Sequence, residues 1–100
     1  MSIHPRVKTP GVRNPSGTII RAEYDVLLRL LIDARKESGV SQRELARRLK
    51  KTQPYVSKIE NGQQRIDVLE FLDYVRAIGK EPAMLMLRLD MATKTPQDQI

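Results

Sequence analysis

Residues 41–62 read SQRELARRLKKTQPYVSKIENG, and they are the most informative part of the sequence. Ser41, followed three positions later by Glu44, carries the signature of a capping box and predicts the start of a short helix. Thr52 predicts the N-terminal cap of a second helix, which runs over about residues 53–61. The stretch therefore predicts two short helices that are separated by a tight turn.

The apolar residues of this pair predict how the two helices pack. Ala46 is small enough to let the helices cross at a steep angle. The apolar side chains that fill the angle between them are Leu45, Leu49, Val56 and Ile59. Such a pair leaves the outer face of the second helix free, and an α-helix fits the major groove of B-DNA.

The outer face of the second helix carries residue types that can read bases. Helical spacing places four residues side by side there, away from the apolar face: Gln53, Pro54, Ser57 and Lys58. Gln can pair bidentately with adenine, Lys can reach the acceptors of guanine, and Ser can serve either base. The bases around them are Arg43, Arg47, Arg48, Lys50 and Lys51. We expect phosphate contacts from Arg43 and Lys51, because phosphate contacts position such a module on DNA.

Helical periodicity continues on both sides of this pair. Before it lies an apolar face with three- and four-residue spacing, formed by Tyr24, Leu27, Leu28 and Leu31. After it, Asp67 with Glu70 forms a second capping-box signature and starts another helix. Pro82 opens a last helix at about residues 83–92. No strand-like alternation or hairpin turn is visible, so the sequence predicts an all-α domain of five helices.

Residues 1–18 have a different composition. They contain three prolines, two glycines and no acid, and their bases are Arg6, Lys8 and Arg13. The segment has too few apolar side chains to offset the conformational entropy that it would lose on becoming ordered. Its composition therefore predicts a flexible basic N-terminal arm. An arm that becomes ordered on the DNA backbone or in a minor groove is the alternative. We place the domain itself at residues 19–80 and a C-terminal helix with its tail at residues 81–100.

Charge and composition narrow the function. The net charge of +6 favours nucleic acid as a partner, although it would also serve solubility alone. There is no cysteine and His4 is the only histidine, so we expect neither a metal nor another cofactor. No Ser–His–Asp or Cys–His set and no glycine-rich phosphate loop can be assembled, so we expect no enzyme. With no apolar run long enough for a bilayer span or a signal peptide, we expect a cytoplasmic protein without membrane contact.

Residues 24–78 resemble the Cro/C1-type helix-turn-helix proteins of phage and bacteria, also called the XRE family. The resemblance rests on Ala46 and the SQREL segment in the first helix of the motif, on Val56 and Ile59 in the second, and on the IENG segment at its end. It implies a five-helix, lambda-repressor-like fold and a homodimer on a near-palindromic operator in double-stranded DNA. It also implies a small, sequence-specific transcriptional regulator, and we expect this regulator to be a repressor.

The resemblance also assigns roles to residues. It gives phosphate contacts to Gln42 and Asn61, and it puts the four outer-face residues of the second helix at base-reading positions. It pairs Arg35 with Glu60 as a scaffold ion pair that holds the first helix against the recognition helix. One position departs from the family pattern, because Lys50 occupies a turn position that is usually glycine. A residue other than glycine at positive φ costs on the order of 1 kcal/mol, so we expect a slightly reshaped turn.

The last helix carries more apolar residues than one buried face can hold. They are Met84, Leu85, Met86, Leu87, Leu89 and Met91. Either all of them close the core of the monomer, or part of this surface, represented by Met84, Leu85 and Leu89, forms a two-fold dimer interface, which we favour. The same surface suggests an alternative function, an antitoxin-type interaction module that masks a toxin and autoregulates its operon. A nucleoid-type binder without sequence preference would explain the charge but not the base-reading residues.

Overall fold

The computed structural model describes residues 12–13, 19–20 and 21–94, and the part from residue 21 onward is a bundle of five helices. These are α1 (Ala22–Glu37), α2 (Gln42–Leu49), α3 (Gln53–Glu60), α4 (Val68–Ala77) and α5 (Pro82–Thr93). The predicted all-α class and the five predicted helices are confirmed. None of these five helices is long and apolar enough to cross a membrane.

A short antiparallel strand pair precedes α1. Strand β1 (Val12–Arg13) pairs with strand β2 (Ile19–Ile20), so that Val12 lies opposite Ile20 and Arg13 opposite Ile19. The sequence gives no sign of this pair, because strands of two residues are too short to display a strand-like alternation. Most of the predicted arm, residues 1–18, lies outside the described residues, and its flexibility stays a prediction.

Helix α2 begins at its predicted cap, but with half of the predicted capping box. The hydroxyl of Ser41 accepts a hydrogen bond from the backbone N–H of Glu44 at 3.0 Å. Instead of returning this bond, the carboxylate of Glu44 binds the guanidinium groups of Arg47 and Arg48. Two cations at three- and four-residue spacing on the same helix face therefore compete successfully with the backbone N–H of Ser41 for this carboxylate.

Helices α3 and α4 also begin at their predicted caps. The side chain of Thr52 accepts a hydrogen bond from the backbone N–H of Tyr55 at 3.3 Å. Asp67 and Glu70 form a complete capping box, in which each carboxylate accepts from the other residue's backbone N–H, at 2.7 and 2.8 Å. These bonds satisfy N–H groups that a helix leaves unpaired at its start, and so they fix where α3 and α4 begin.

The turn between α2 and α3 runs through Lys50, which has a φ of 58° and a ψ of 42°. In the described part of the chain, Lys50 is the only residue other than glycine with a positive φ. The next backbone N–H, of Lys51, bonds the carbonyl of Ala46 at 2.9 Å and closes the end of α2. The turn therefore keeps the left-handed geometry that glycine usually provides, and Lys50 adopts it at a cost in free energy.

The hydrophobic core lies where α2 and α3 cross and meet α1 and α4. Its most completely buried side chains are Leu31, Leu45, Val56, Ile59, Tyr74 and Val75. Burying a Leu, Ile or Val side chain stabilises a fold by about 1.5–3 kcal/mol. Leu45, Val56 and Ile59 thus occupy the inner positions that the sequence predicts, and the outer side of α3 faces solvent.

Helix α5 packs against α1 and α4 and presents two different apolar faces. Leu85 is only 4 % exposed and belongs to the core of the monomer. Its assignment to a dimer interface is therefore wrong, because helical spacing reveals two apolar faces without telling which of them packs inward. Leu89, one turn further along, is half-buried, whereas Met84 is 52 % exposed.

Candidate nucleic-acid interface

Helix α3 turns an apolar edge into the core and leaves a polar face outside. Val56 and Ile59 form the buried edge. The four residues predicted to read bases lie away from it, three of them exposed and Ser57 half-buried: Gln53, Pro54, Ser57 and Lys58. The structure therefore brings these four side chains together on one accessible face of a helix.

A hydrogen bond between two side-chain amides joins α3 to α2. Nε2 of Gln53 donates to Oε1 of Gln42 at 2.7 Å. A glutamine amide has two N–H donors and one carbonyl acceptor. Gln53 therefore keeps one N–H and its Oε1 for another partner, and this is the donor–acceptor pair that matches the major-groove edge of adenine.

Beneath these amides lies the ion pair of Arg35 and Glu60. Nε of Arg35 lies 2.6 Å from Oε2 of Glu60, and Nη2 lies 2.9 Å from Oε1, so the contact is bidentate. Each residue is only 7 % exposed. The remaining Nη1 of Arg35 donates to the carbonyl of Val40 at 2.9 Å. The pair therefore ties α1 to the C-terminal end of α3 and to the loop before α2.

Two further side chains bind the same carboxylate, and neither contact was predicted from the sequence. Nε2 of Gln42 donates to Oε1 of Glu60 at 2.9 Å, and the hydroxyl of Tyr74 donates to Oε2. One signal could have revealed the contact of Tyr74: a buried tyrosine usually finds a hydrogen-bond partner for its hydroxyl. Gln42, which is predicted to contact phosphate, keeps its second amide N–H for that purpose.

These hydrogen bonds keep the carboxyl group of Glu60 ionised. Burial by itself raises the pKa of a carboxyl group, but the hydrogen bonds from Arg35, Gln42 and Tyr74 outweigh burial, so the pKa of Glu60 lies below its ordinary value. The hydrogen bond to Glu60 in turn raises the pKa of Arg35 above its ordinary value. Both partners are therefore charged at neutral pH.

The two cations predicted to contact phosphate differ in their surroundings. Arg43 is exposed and makes no hydrogen bond or ion pair with any residue in 21–94. Lys51 lies 5.1 Å from the centre of the Tyr55 ring, a cation–π contact at the surface. The hydroxyl of Tyr55 donates to Glu70 at 3.2 Å, so this tyrosine is tied to the scaffold at the start of α4.

Arg47 and Arg48 are engaged with the scaffold instead. Both bind Glu44, and their hydrogen bonds lower the pKa of this carboxyl to about 2. Arg48 also donates to the carbonyl of Ala77, near the end of α4, at 2.8 Å. The positive charge of these two arginines is therefore partly balanced within the protein, in contrast to that of Arg43.

A groove between α1 and α3 collects further polar groups. Its lining includes Arg29, Ile32, Lys36, Gln42, Ser57 and Asn61. It thus brings together Gln42 and Asn61, the two residues that the family resemblance assigns to phosphate. Oδ1 of Asn61 accepts from the backbone N–H of Gln63 at 3.3 Å, which leaves the amide N–H groups of Asn61 for a ligand.

The described residues offer hydrogen bonds and charge, and not the ligands of a metal. Within residues 21–94 no group of three His, Cys, Asp or Glu side chains lies close enough together to hold a metal ion. The buried ionisable pair, Arg35 and Glu60, is engaged in hydrogen bonds within the protein.

The helix-turn-helix arrangement is matched by a family model. The family described as Helix-turn-helix matches residues 31–85, from the second half of α1 to the start of α5. The chain belongs to the Cro/C1-type (XRE) helix-turn-helix family. This XRE-family protein is by its family a DNA-binding regulator of transcription rather than an enzyme, and these two predictions are confirmed.

Solved structures share the fold of the XRE-family protein. An XRE-family like protein from Pseudomonas syringae pv. tomato str. DC3000 is 46 % identical, with a TM-score of 0.70, over 73 % of this chain and 89 % of that one. The clp gene regulator ClgR from C. glutamicum is 22 % identical, with a TM-score of 0.63, over 72 % of this chain and 94 % of that one. The second likeness concerns the fold alone. A comparison with curated proteins gave no match.

Proposed function

We propose that this XRE-family protein is a sequence-specific repressor that binds duplex DNA with α3 in the major groove. The observation that supports this most is the outer face of α3, where Gln53 is accessible and its amide is held by Gln42. A side chain that is held in place before binding loses less conformational freedom when it binds. Four adjacent base-reading side chains are also more than a binder without sequence preference needs.

The base contacts follow from the chemistry of the four side chains. Gln53 presents one N–H and its Oε1 to adenine, and Lys58 donates to the O6 and N7 acceptors of guanine. Ser57 serves either base, while Pro54 offers only apolar contact, as to the methyl group of thymine. Each well-formed bidentate pair contributes about 1–3 kcal/mol of discrimination against the wrong base.

The phosphate contacts position α3 and give affinity without sequence preference. The predicted set is Gln42, Arg43, Lys51 and Asn61. Gln42 and Asn61 line one groove, with amide N–H groups that the protein leaves open, and Arg43 is an exposed cation without a partner among residues 21–94. These contacts displace counterions from DNA, so the affinity falls steeply as the salt concentration rises.

We further propose that the protein binds DNA as a homodimer through α5. Met84, Leu87 and Met91 follow one another at three- and four-residue spacing along α5, and they are 52, 50 and 64 % exposed, whereas Leu85 is buried. An exposed apolar stripe of this kind marks an interaction surface. In a two-fold dimer the stripes would cover each other, and the two α3 helices would enter major grooves roughly 34 Å apart. Leu89 is half-buried on the inner side and would border this interface.

Sedimentation of two matched variants tests the dimer. Leu87→Asp places a charge in the stripe, and we expect it to sediment with half the mass of the wild type. Leu69→Asp makes the same kind of change at an exposed leucine of α4, which is 70 % exposed, and we expect it to keep the dimer mass. A Leu87→Asp protein with the dimer mass would exclude this face of α5 as the interface.

The same stripe supports one second candidate, an antitoxin-type module that masks a toxin and autoregulates its operon. In that case a partner protein, and not a second copy, would cover Met84, Leu87 and Met91. Purification from the native host distinguishes the two. A small unrelated protein at fixed stoichiometry, lost on Leu87→Asp but kept on Leu69→Asp, would favour the antitoxin.

Selection from a random duplex pool at near-physiological salt tests sequence-specific binding, since non-specific binding is weak there. We expect a consensus with two-fold symmetry from the wild type, and none from a Gln53→Ala, Lys58→Ala double variant that stays folded. A reporter whose promoter carries the selected sequence should then lose expression when the protein is produced in the cytoplasm, where we propose that it acts. Selection of no sequence by the folded wild type would overturn the proposed function.

A further inference from the structure

The hydroxyl of Tyr74 is buried next to the candidate interface without belonging to its surface. Tyr74 is 1 % exposed and lies on the inner face of α4. Its single hydroxyl proton goes to the charged Oε2 of Glu60, since the other acceptor within reach, the carbonyl of Leu31, is neutral and 3.3 Å away. Burial and the neighbouring carboxylate hold the pKa of Tyr74 far above its ordinary value, so the hydroxyl remains a donor.

The carboxylate of Glu60 is filled by its four donors. Oε2 accepts from Nε of Arg35 and from Tyr74, while Oε1 accepts from Nη2 of Arg35 and from Nε2 of Gln42. A carboxylate offers about four lone-pair sites. With Tyr74 and Arg35 on Oε2, the site that remains for the amide of Gln42 is the one on Oε1.

This choice of site sets the orientation of two amides in succession. Because Nε2 of Gln42 faces the carboxylate, its Oε1 points to Gln53 and accepts the Nε2 proton there at 2.7 Å. The reverse orientation would place the carbonyl oxygen of Gln42 against the negative charge of Glu60, which is unfavourable. The amide of Gln53 is thereby turned so that one N–H and its Oε1 remain for a base.

We propose that Tyr74 is a positioning residue for base reading, which acts through Glu60 and Gln42 to orient the amide of Gln53. The proposal rests on the proposed function of α3. Without the hydroxyl, Oε2 of Glu60 has an open acceptor site in a buried place, where an unpaired polar group is costly. The amide of Gln42 or a water molecule then moves to that site. In both cases the amide of Gln42 no longer has a fixed orientation toward the amide of Gln53.

The first test uses the protein without DNA. Tyr74→Phe removes only the hydroxyl, and Tyr24→Phe is the matched control. The hydroxyl of Tyr24 accepts from the backbone N–H of Ile66 at 3.0 Å, so the control also removes one partly buried bond. In ¹⁵N NMR spectra we expect the side-chain amide signals of Gln42 and Gln53 to shift in Tyr74→Phe and to stay in place in Tyr24→Phe. Unchanged signals in a folded Tyr74→Phe protein would overturn the proposal.

The second test measures affinity for the selected duplex. Mutations within a contact network alter the coupling between its members, so we expect Tyr74→Phe to weaken specific binding by about two- to thirtyfold. We expect binding to random duplex to be equal in Tyr74→Phe and Tyr24→Phe. Since Tyr74 is proposed to act through Gln42, Tyr74→Phe should cost nothing further in a Gln42→Ala background.

The outcomes separate the two proposals. If Tyr74→Phe lowers the affinity for the selected duplex equally in the wild-type and Gln42→Ala backgrounds, the hydroxyl only stabilises the fold. That result would overturn the positioning role. If the wild type prefers no sequence, the proposed function of α3 fails, but the amide signals of Gln42 and Gln53 still decide whether Tyr74 orients them.

Discussion

Glu60 carries a negative charge where burial opposes it. A buried ion pair pays for the loss of hydration of both partners, and removing one partner leaves an uncompensated charge that costs about 3–5 kcal/mol. In this protein the carboxylate receives hydrogen bonds from Arg35, Gln42 and Tyr74, which together outweigh the effect of burial on its pKa. The cluster therefore stabilises the fold and orients Gln42 with the same set of bonds.

The lowered pKa of Glu60 predicts loss of stability in acid. A carboxyl whose pKa is lower in the folded than in the unfolded protein contributes stability above its ordinary pKa of 4.5, and this contribution is lost as the pH falls through the lowered value. We expect the free energy of unfolding in urea to fall below about pH 4.5 in the wild type, and to fall less steeply in Glu60→Gln. NMR titration of the Glu60 carboxyl carbon checks the sign, since a midpoint above 4.5 would mean that burial dominates.

Lys50 predicts a stabilising substitution. At φ 58° a β-carbon crowds the backbone, and glycine relieves this strain, so we expect Lys50→Gly to raise the free energy of unfolding by about 1 kcal/mol. The control is Lys51→Gly at the next residue, which lacks a positive φ and should lose stability. Urea unfolding measures both, and a loss in Lys50→Gly as large as in Lys51→Gly would contradict the strain.

At the scale of elements, the start of α4 depends on its capping box. Asp67→Ala removes the acceptor for the backbone N–H of Glu70, and we expect the free energy of unfolding to fall by about 1 kcal/mol. Asp73→Ala removes an exposed carboxylate from the middle of the same helix and should change stability by less than about 0.5 kcal/mol. Equal effects in thermal unfolding would mean that the box does not limit the stability of α4.

The elements could be predicted from sequence where the signal is local. The caps at Ser41, Thr52 and Asp67, and the inward edge of α3, follow from spacing within one or two helical turns. The strand pair escaped prediction because two residues carry no period, and Leu85 was misplaced because α5 has apolar residues on two faces.

The hydrogen bonds around Glu60 could not be predicted from local sequence patterns, because the residues that form them are far apart in the chain. Gln42 and Glu60 are separated by 18 positions, and Tyr74 and Glu60 by 14. The family resemblance pairs Arg35 with Glu60, and the structure joins them. No local spacing rule relates Tyr74 on α4 to Gln42 on α2, so that part of the candidate site is visible only in three dimensions.

At the scale of the whole molecule, the net charge of +6 predicts salt-dependent binding. Arg43 is an exposed cation on α2, and we expect Arg43→Ala to weaken binding to every duplex. The slope of log affinity against log salt concentration should become less steep by about one unit for each arginine removed. Arg76→Ala removes an equal charge from the exposed side of α4 and should leave the slope unchanged. Fluorescence anisotropy at several salt concentrations checks both, and equal slopes for the two variants would remove Arg43 from the interface.

If the outer face of α3 reads sequence, replacing Gln53 must change which bases the protein prefers. The measurement is the affinity of the wild type and of Gln53→Ala for the selected duplex and for duplexes in which each base pair is changed in turn. We expect Gln53→Ala to lose about 1–3 kcal/mol of discrimination at one base pair of each half-site and to keep it at the others. A Gln53→Ala variant that discriminates at every position as the wild type does would show that Gln53 does not read a base.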